Sequence, residues 1–317
     1  MDKLERRLYR REVKADTRKL GLGLLLYSLI MTVGAILYWG IARFTFMQNA
    51  TDVEFDTFCT NSEGTATIIG VVLGIIFLFL FFLPRKTHQQ IFVKNKKMTF
   101  GWFAVLTCIF LGVQLIMYPI FMGFESLLNL MGVSALSSME SAAAGSDTVS
   151  MFIYCGLVAP IVEEIVYRGF AMRILGKYGK TFAILASSIL FGVMHGNLPQ
   201  AIFATLVGIV LGYVAMEYSV IWSIVLHIIN NMVLGDLLTY ALQNTSELTS
   251  NIIWYSILGI FFAVGLVAII IKRKQILSYI KANRWNMPYM RWTFTTVLII
   301  LFVLINIATG VMMLEKI

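Results

Sequence analysis

This sequence predicts an all-α, polytopic transmembrane helix bundle of about nine spans, and three observations carry that prediction. Of the 317 residues, 59% are hydrophobic and 13% charged, with a mean hydropathy of +0.82. Soluble domains carry about a quarter charged residues, roughly twice that share. The apolar residues fall into nine runs, each near the ~20 residues a helix needs to cross the hydrocarbon. Lys and Arg gather on alternate loops between those runs. Together these features exclude a disordered chain, a collagen-like chain and an ordinary cytosolic globule. The net charge of +8 reads as basic loops on one side of a membrane rather than a nucleic-acid surface, so no nucleic-acid partner is expected. The three cysteines, Cys59, Cys108 and Cys155, are scattered, and neither a disulfide framework nor a cysteine-based zinc site follows.

Taken in order, residues 1–19 are a basic segment. Leu4 and Leu8 lie one turn apart, but the apolar stripe is thin, and the segment reads as a positive-inside tail rather than a surface helix. The first run, 20–42, is preceded by too many charged residues and exceeds the ~7–15 residues of a signal-peptide core, so it reads as a span. The others are 65–83, 100–122, 149–171, 181–197, 199–217, 219–238, 252–271 and 292–313. With a cytoplasmic N-terminus and strict alternation, the inner segments hold 22 of the 25 Lys and Arg. Eight precede the first span. Arg85, Lys86, Lys94, Lys96 and Lys97 follow the second, Arg173, Lys177 and Lys180 the fourth, and six lie between Lys272 and Arg291. The outer loops carry Asp52, Glu54, Asp56, Glu63, Glu125, Glu140, Asp147 and Glu247. That bias supports nine spans with the N-terminus in the cytoplasm. Gly70 with Gly74, and Gly208 with Gly212, put small residues on one helix face, a pattern that lets helices approach but carries no function. The chain divides as 1–19, the three N-terminal spans 20–148, a central unit 149–238, and two C-terminal spans 239–317.

Ionisable groups in hydrocarbon are costly and need a reason. Here they cluster. The fourth run contains Pro160, Glu163, Glu164, Tyr167, Arg168 and Gly169. The fifth contains Phe191 and His195, and the seventh His227, Asn230 and Asn231. Glu164 and Arg168 are four apart, acid first, and can neutralise each other on one helix face. Glu163 lies about 100° around the helix without such a partner, and a carboxylate in that position suits general-base chemistry. His227 and Asn231 share a face and together suit a developing oxyanion. Each histidine alone could equally bridge helices by a hydrogen bond, and the asparagines could be interhelical glue. The third histidine, His88, sits among basic loop residues and reads as solvated.

Glu163-Glu164-x-x-x-Arg168, then Phe191-x-x-x-His195, then His227-x-x-x-Asn231, on three spans in this order, resembles the CPBP family. These are the type II CAAX prenyl endopeptidase and bacteriocin-processing (Abi) intramembrane proteases. Tyr167 before Arg168 and Gly169 after it agree with the pattern. The resemblance covers about 150–235. It implies a protease core formed by spans four to seven, acting on membrane-associated peptides or proteins within the lipid bilayer. The short basic loops and compact length point to a multi-pass protein of a bacterial plasma membrane. The resemblance also implies roles: Glu163, assisted by His195, activates a water. His227 and Asn231 stabilise the oxyanion. Glu164, Arg168 and Phe191 support the site.

No cofactor is certain. Glu163, His195 and His227 could supply the three protein ligands of a catalytic zinc. No His-x-x-x-His pair is present, and metal-free glutamate catalysis is the favoured expectation. One tension stands: measured from the span edges at 1.5 Å per residue, Glu163 and His227 lie ~10–12 Å deep and His195 ~21 Å. The rival reading is a non-catalytic immunity, scaffold or small-solute transport protein using the same cluster for binding. A carrier would be expected to show paired repeats, and none is visible.

Overall fold

The computed structural model describes residues 3–83, 91–143, 146–285 and 288–317. Arg85, Lys86 and His88 lie outside the described residues. The chain is an all-α bundle. Helix α1 (Lys3–Thr45) is followed by α2 (Asp52–Phe81) and α3 (Phe100–Asn129). A two-residue strand β1 (Val133–Ser134) leads into α4 (Leu136–Ala143). Then come α5 (Val149–Gly176), α6 (Lys180–Met194), α7 (Leu198–Glu217) and α8 (Val220–Leu242). The chain ends with α9 (Glu247–Ala282), α10 (Tyr289–Phe294), α11 (Val297–Met312) and β2 (Glu315–Lys316), which pairs antiparallel with β1.

Every predicted span coincides with a helix, and among the described residues seven helices are long and apolar enough to cross a membrane. The fifth and ninth predicted spans appear as α6 and α11, with 15 and 16 residues. At 1.5 Å per residue they reach about 22–24 Å, short of a ~30 Å hydrocarbon core, so length alone does not establish nine crossings.

The N-terminal segment differs from expectation. It is not a tail but the first turns of a continuous 43-residue helix. No Gly or Pro interrupts residues 3–20, and Leu, Arg, Lys and Glu are good helix formers. At about 65 Å this helix is twice the hydrocarbon thickness, and residues 3–12 are exposed on all sides. Similarly α2 begins thirteen residues before its predicted span, nucleated by a capping box in which Thr51 and Glu54 bond each other's backbone N–H.

Polar contacts sort the helix ends into two layers. In one, Tyr178 donates to Asp16, Lys177 pairs with Asp16 and Glu12, and Glu217 accepts from Lys96, Lys180 and Tyr279. In the other, Arg43 pairs with Asp52, Ser150 donates to the Asn61 carbonyl, Asn197 donates to the Ser138 carbonyl, and β1 meets β2. Helix α6 starts in the first layer, at Lys180, and ends beside Asn197 in the second. Helix α11 likewise runs from Thr296, bonded to Thr17, to β2. Lys96, Lys177 and Lys180 of the basic loops fall in the first layer, in keeping with the alternation of charge along the sequence.

Candidate active site

Helices α5 and α8 are not uniform. Tyr154–Val158 and Ile165–Ala171 of α5, and Ile229–Leu238 of α8, are π-helical. A π turn reaches back five residues for its hydrogen bond and leaves the local ladder open to side chains. Among the described residues these are the only π-helical stretches, and they flank or carry Glu163, Glu164, Arg168, Asn230 and Asn231. In the first, the Ala159 N–H bonds the Tyr154 carbonyl, and the carbonyl of Cys155 accepts from Asn231 Nδ2 at 3.0 Å.

Glu164 and Arg168 are fully buried, with Arg168 Nε 3.4 Å from Glu164 Oε2. Arg168 Nη2 donates to the Gly208 carbonyl at 3.0 Å, and its guanidinium carbon lies 4.4 Å from the centroid of the Phe191 ring. Gly208 makes room for this. A Cβ there would stand 3.2 Å from Arg168 Nη2, from the Phe191 ring and from Ser188. The guanidinium is thus held by a carboxylate, a carbonyl and an aromatic face, which suits a cation excluded from water.

His227 bridges the two glutamates. Its Nδ1 lies 3.3 Å from Glu164 Oε1 and its Nε2 3.7 Å from Glu163 Oε2. Glu164 is sealed, whereas the Glu163 side chain keeps 16% of its surface accessible. The phenols of Tyr27, Tyr154 and Tyr167 are close enough to Glu163 to feel its charge. Phe191 is the hub of the cluster, with ring centroids 5.0 Å from His195, 5.8 Å from His227 and 5.3 Å from Tyr167.

His195 is set apart. Its Nδ1–H donates to the Phe191 carbonyl at 2.9 Å, which leaves Nε2 for other partners. Among the described residues no carboxylate lies within 4.0 Å of its nitrogens, in contrast to His227. His195 and His227 both pack against the Phe191 ring. The structure brings Glu163, Glu164, Arg168, Phe191 and His227 into one cluster. Asn231 enters it from the π-helical part of α8, and His195 stands one ring away.

A metal does not fit this set. Among the described residues no three His, Cys, Asp or Glu side chains converge on one point. Both nitrogens of His227 face carboxylates, and Nδ1 of His195 faces a carbonyl.

Three polar residues join the site that the sequence reading passed over or left as glue. Gln114 of α3 donates to Asn230 Oδ1 at 2.8 Å, and Asn230 Nδ2 donates to Asn231 Oδ1 at 2.9 Å. A chain of three amides thus ends on the Cys155 carbonyl. Asp236, buried on α8, accepts from the Ser146 N–H at 3.0 Å and holds the segment leading into α5. Asp236 was detectable as a carboxylate within an apolar run. Gln114 is uncharged and escapes a search for ionisable groups.

Comparison with known proteins agrees with this picture. Residues 145–233 match the family described as type II CAAX prenyl endopeptidase Rce1-like. The protein "Putative membrane peptidase YdiL" of Bacillus subtilis (strain 168) is 30% identical over 115 residues, which are 35% of this chain and 46% of the relative. The chain thus spans about half the length of the relative it matches. No solved structure matches. The matched segment begins just before α5 and ends within α8, enclosing Glu163, Glu164, Arg168, Phe191, His195, His227 and Asn231. Over the segment that carries the ordered motifs, this chain is thus similar to the type II CAAX prenyl endopeptidase Rce1-like family.

Proposed function

We propose that this protein is an intramembrane endopeptidase that hydrolyses peptide bonds of membrane-associated peptides or proteins with a water activated by Glu163. The observation that carries the reading is the division of labour between two adjacent glutamates joined by one histidine. Arg168 holds Glu164 as a carboxylate, so His227 Nδ1–H donates to it. That leaves Nε2 of His227 to share a proton with Glu163. Glu163 takes a proton from water as the oxygen adds to the scissile carbonyl, and the proton passes to the leaving amine. Once Glu163 carries the water's proton, the Nε2–H of His227 turns from it to the developing oxyanion, joined there by the second Nδ2–H of Asn231, the one not given to Cys155. His195 Nε2 is available to position the water or the substrate amide from the far side of Phe191. No step is routed through a metal.

The test compares membrane peptides released by cells carrying the native protein or Glu163→Gln. Peptides that appear only with the native chain, while the variant stays at normal abundance in the membrane, support the endopeptidase. If no cleavage depends on Glu163, the protein binds without hydrolysing, as an immunity, scaffold or transport protein would.

We also place the protein in a bacterial plasma membrane, with the basic layer, and so the N-terminus, in the cytoplasm. A cysteine appended after Ile317 should then react with an impermeant thiol reagent in intact cells. Protection of that cysteine overturns this orientation.

A further inference from the structure

The reaction uses Glu163 and its neighbours and leaves half of the Asp236 carboxylate without a role. Asp236 is buried on α8, 7% exposed, and its Oδ1 accepts from the Ser146 N–H at 3.0 Å. Its Oδ2 is buried too and has no hydrogen-bond partner. That oxygen points at the first π-helical turn of α5, where Gly156 leaves room for it. A Cβ at Gly156 would stand 3.2 Å from Oδ2. Among the described residues no Lys, Arg or His nitrogen lies within 4.0 Å of Asp236. A carboxylate inside an apolar bundle is costly unless a cation or donors meet it. Holding Ser146 accounts for Oδ1 alone, so Oδ2 calls for a partner.

The surroundings say what kind of partner. Cys155, next to Gly156, lies close enough to Asp236, Glu163 and Glu63 to feel all three charges, and Tyr154 feels Glu163 and Glu63. Glu63 is exposed on α2 and, like Asp236, pairs with no cation among the described residues. At this end of the bundle Arg43 is taken by Asp52. A metal ion is not the complement, because among the described residues no three acid, Cys or His side chains converge on one point. The acids are strung out instead, which suits a cation carried on a chain. The groups between Asp236 and Glu163 can be reached, since Cys155, Asn231 and Glu163 are each partly accessible. Cys155 and Glu163 are eight residues apart on α5, about 12 Å at 1.5 Å per residue. An extended peptide rises ~3.3 Å per residue and covers that distance in three or four residues.

We propose that Asp236, with Glu63 at its rim, forms a substrate subsite for one positive charge, a free α-amino group or a Lys or Arg side chain about three or four residues from the bond that is cut. The inference rests on the endopeptidase reading and adds a substrate class to it: apolar peptides with a cation at a fixed distance from the scissile bond. Asp236 Oδ2 accepts from the cation while Oδ1 stays on Ser146, and Glu63 draws the charge in from the surface.

The test uses the full-length protein in phosphatidylcholine micelles and short, fluorescent, N-acetylated apolar peptides. Each carries one Lys, stepped through successive positions, and a reference peptide carries norleucine instead. A further peptide has a free amine and no Lys. Mass spectrometry reads the cut sites, and fluorescence anisotropy reads binding to the Glu163→Gln variant. The cut should move with the charge, about three or four residues from it, and charged peptides should bind more tightly than the reference. Cuts that follow the Lys assign the subsite to a side chain, and cuts fixed near the free terminus assign it to an α-amino group. Asp236→Asn, which keeps Oδ1 for Ser146, should shrink the preference for the charged peptide about tenfold or more, since hydrogen bonds to charged groups are among the strongest. Glu63→Gln should shrink it less, and its exposed position on α2 keeps the test valid if Asp236→Asn folds poorly. Cutting and binding indifferent to both the Lys and the free amine, or a preference that survives both substitutions, overturns the subsite and leaves the endopeptidase standing. Charge-dependent binding without any cutting by the native chain overturns the endopeptidase and keeps the subsite. Neither cutting nor charge-dependent binding overturns both.

Discussion

Two helix pairs in this bundle behave very differently. Helices α3 and α9 pack together along their lengths, and α9 runs 36 residues with only Leu258 and Gly265 buried. Helices α5 and α8 meet deeper in the bundle, and both are broken into α and π turns. The buried ion pair, the bridging histidine and the asparagine bonded to a backbone carbonyl all fall on this second pair. A regular helix consumes its own backbone hydrogen bonds and offers its neighbours only side chains. A helix with π turns also offers carbonyls, such as that of Cys155. The contrast teaches that here the irregular backbone is the means by which polar groups are held inside an apolar bundle.

The largest expected effects come from disturbing α5, and they distinguish its two carboxylates. General-base catalysis contributes roughly 10²- to 10⁴-fold, so Glu163→Gln should lower turnover by at least that lower bound while the protein stays folded. Glu164→Gln should instead strip the buried Arg168 of its carboxylate. Removing one side of a buried pair costs on the order of 3–5 kcal/mol, so melting temperature and abundance should fall together with activity. Glu164→Gln combined with Arg168→Gln should recover part of that stability, because the orphan charge is gone. Thermal melts of the purified single and double variants, alongside turnover, decide the matter. A stable but inactive Glu164→Gln with a near-normal Glu163→Gln would exchange the two roles.

Much of this was legible in the sequence. The apolar runs marked all nine principal helices, because hydrocarbon leaves a spanning chain few options besides a helix. The i,i+4 spacing of Glu164 and Arg168 anticipated their contact, since both lie on one face of any helical register. What the sequence concealed follows from backbone register. Pro160, which has no N–H to give, marked a break before the carboxylates, but not that the break is a π turn that frees the Cys155 carbonyl for Asn231. The contact of His227 with both glutamates was hidden for the same reason, as ideal helix angles set Glu163 and Glu164 about 100° apart. The extension of α1 to Lys3 was missed because hydropathy reports burial, not helicity, and a basic helix outside the membrane is as regular as the span it continues.

The smallest expected effect probes a hydrogen bond by which the regular pair reaches into the irregular one. Gln114 of α3 donates to Asn230, which donates to Asn231, which donates to the Cys155 carbonyl. Each amide fixes which end of the next one points onward, so Gln114 sets the orientation of Asn231 without touching the cluster of charges. Gln114→Leu fills similar space and removes that constraint. Interhelical hydrogen bonds in membranes are worth about 0.6 kcal/mol on average and up to about 1.7, so stability should change little. If the lost orientation is felt fully in the transition state, kcat should fall between about threefold and twentyfold with KM nearly constant. Gln114→Asn, which keeps the amide on a shorter arm, should lie between the two. Unchanged kcat in Gln114→Leu would mean that Asn231 is oriented by the Cys155 carbonyl alone, and that α3 contributes nothing to the site but its packing.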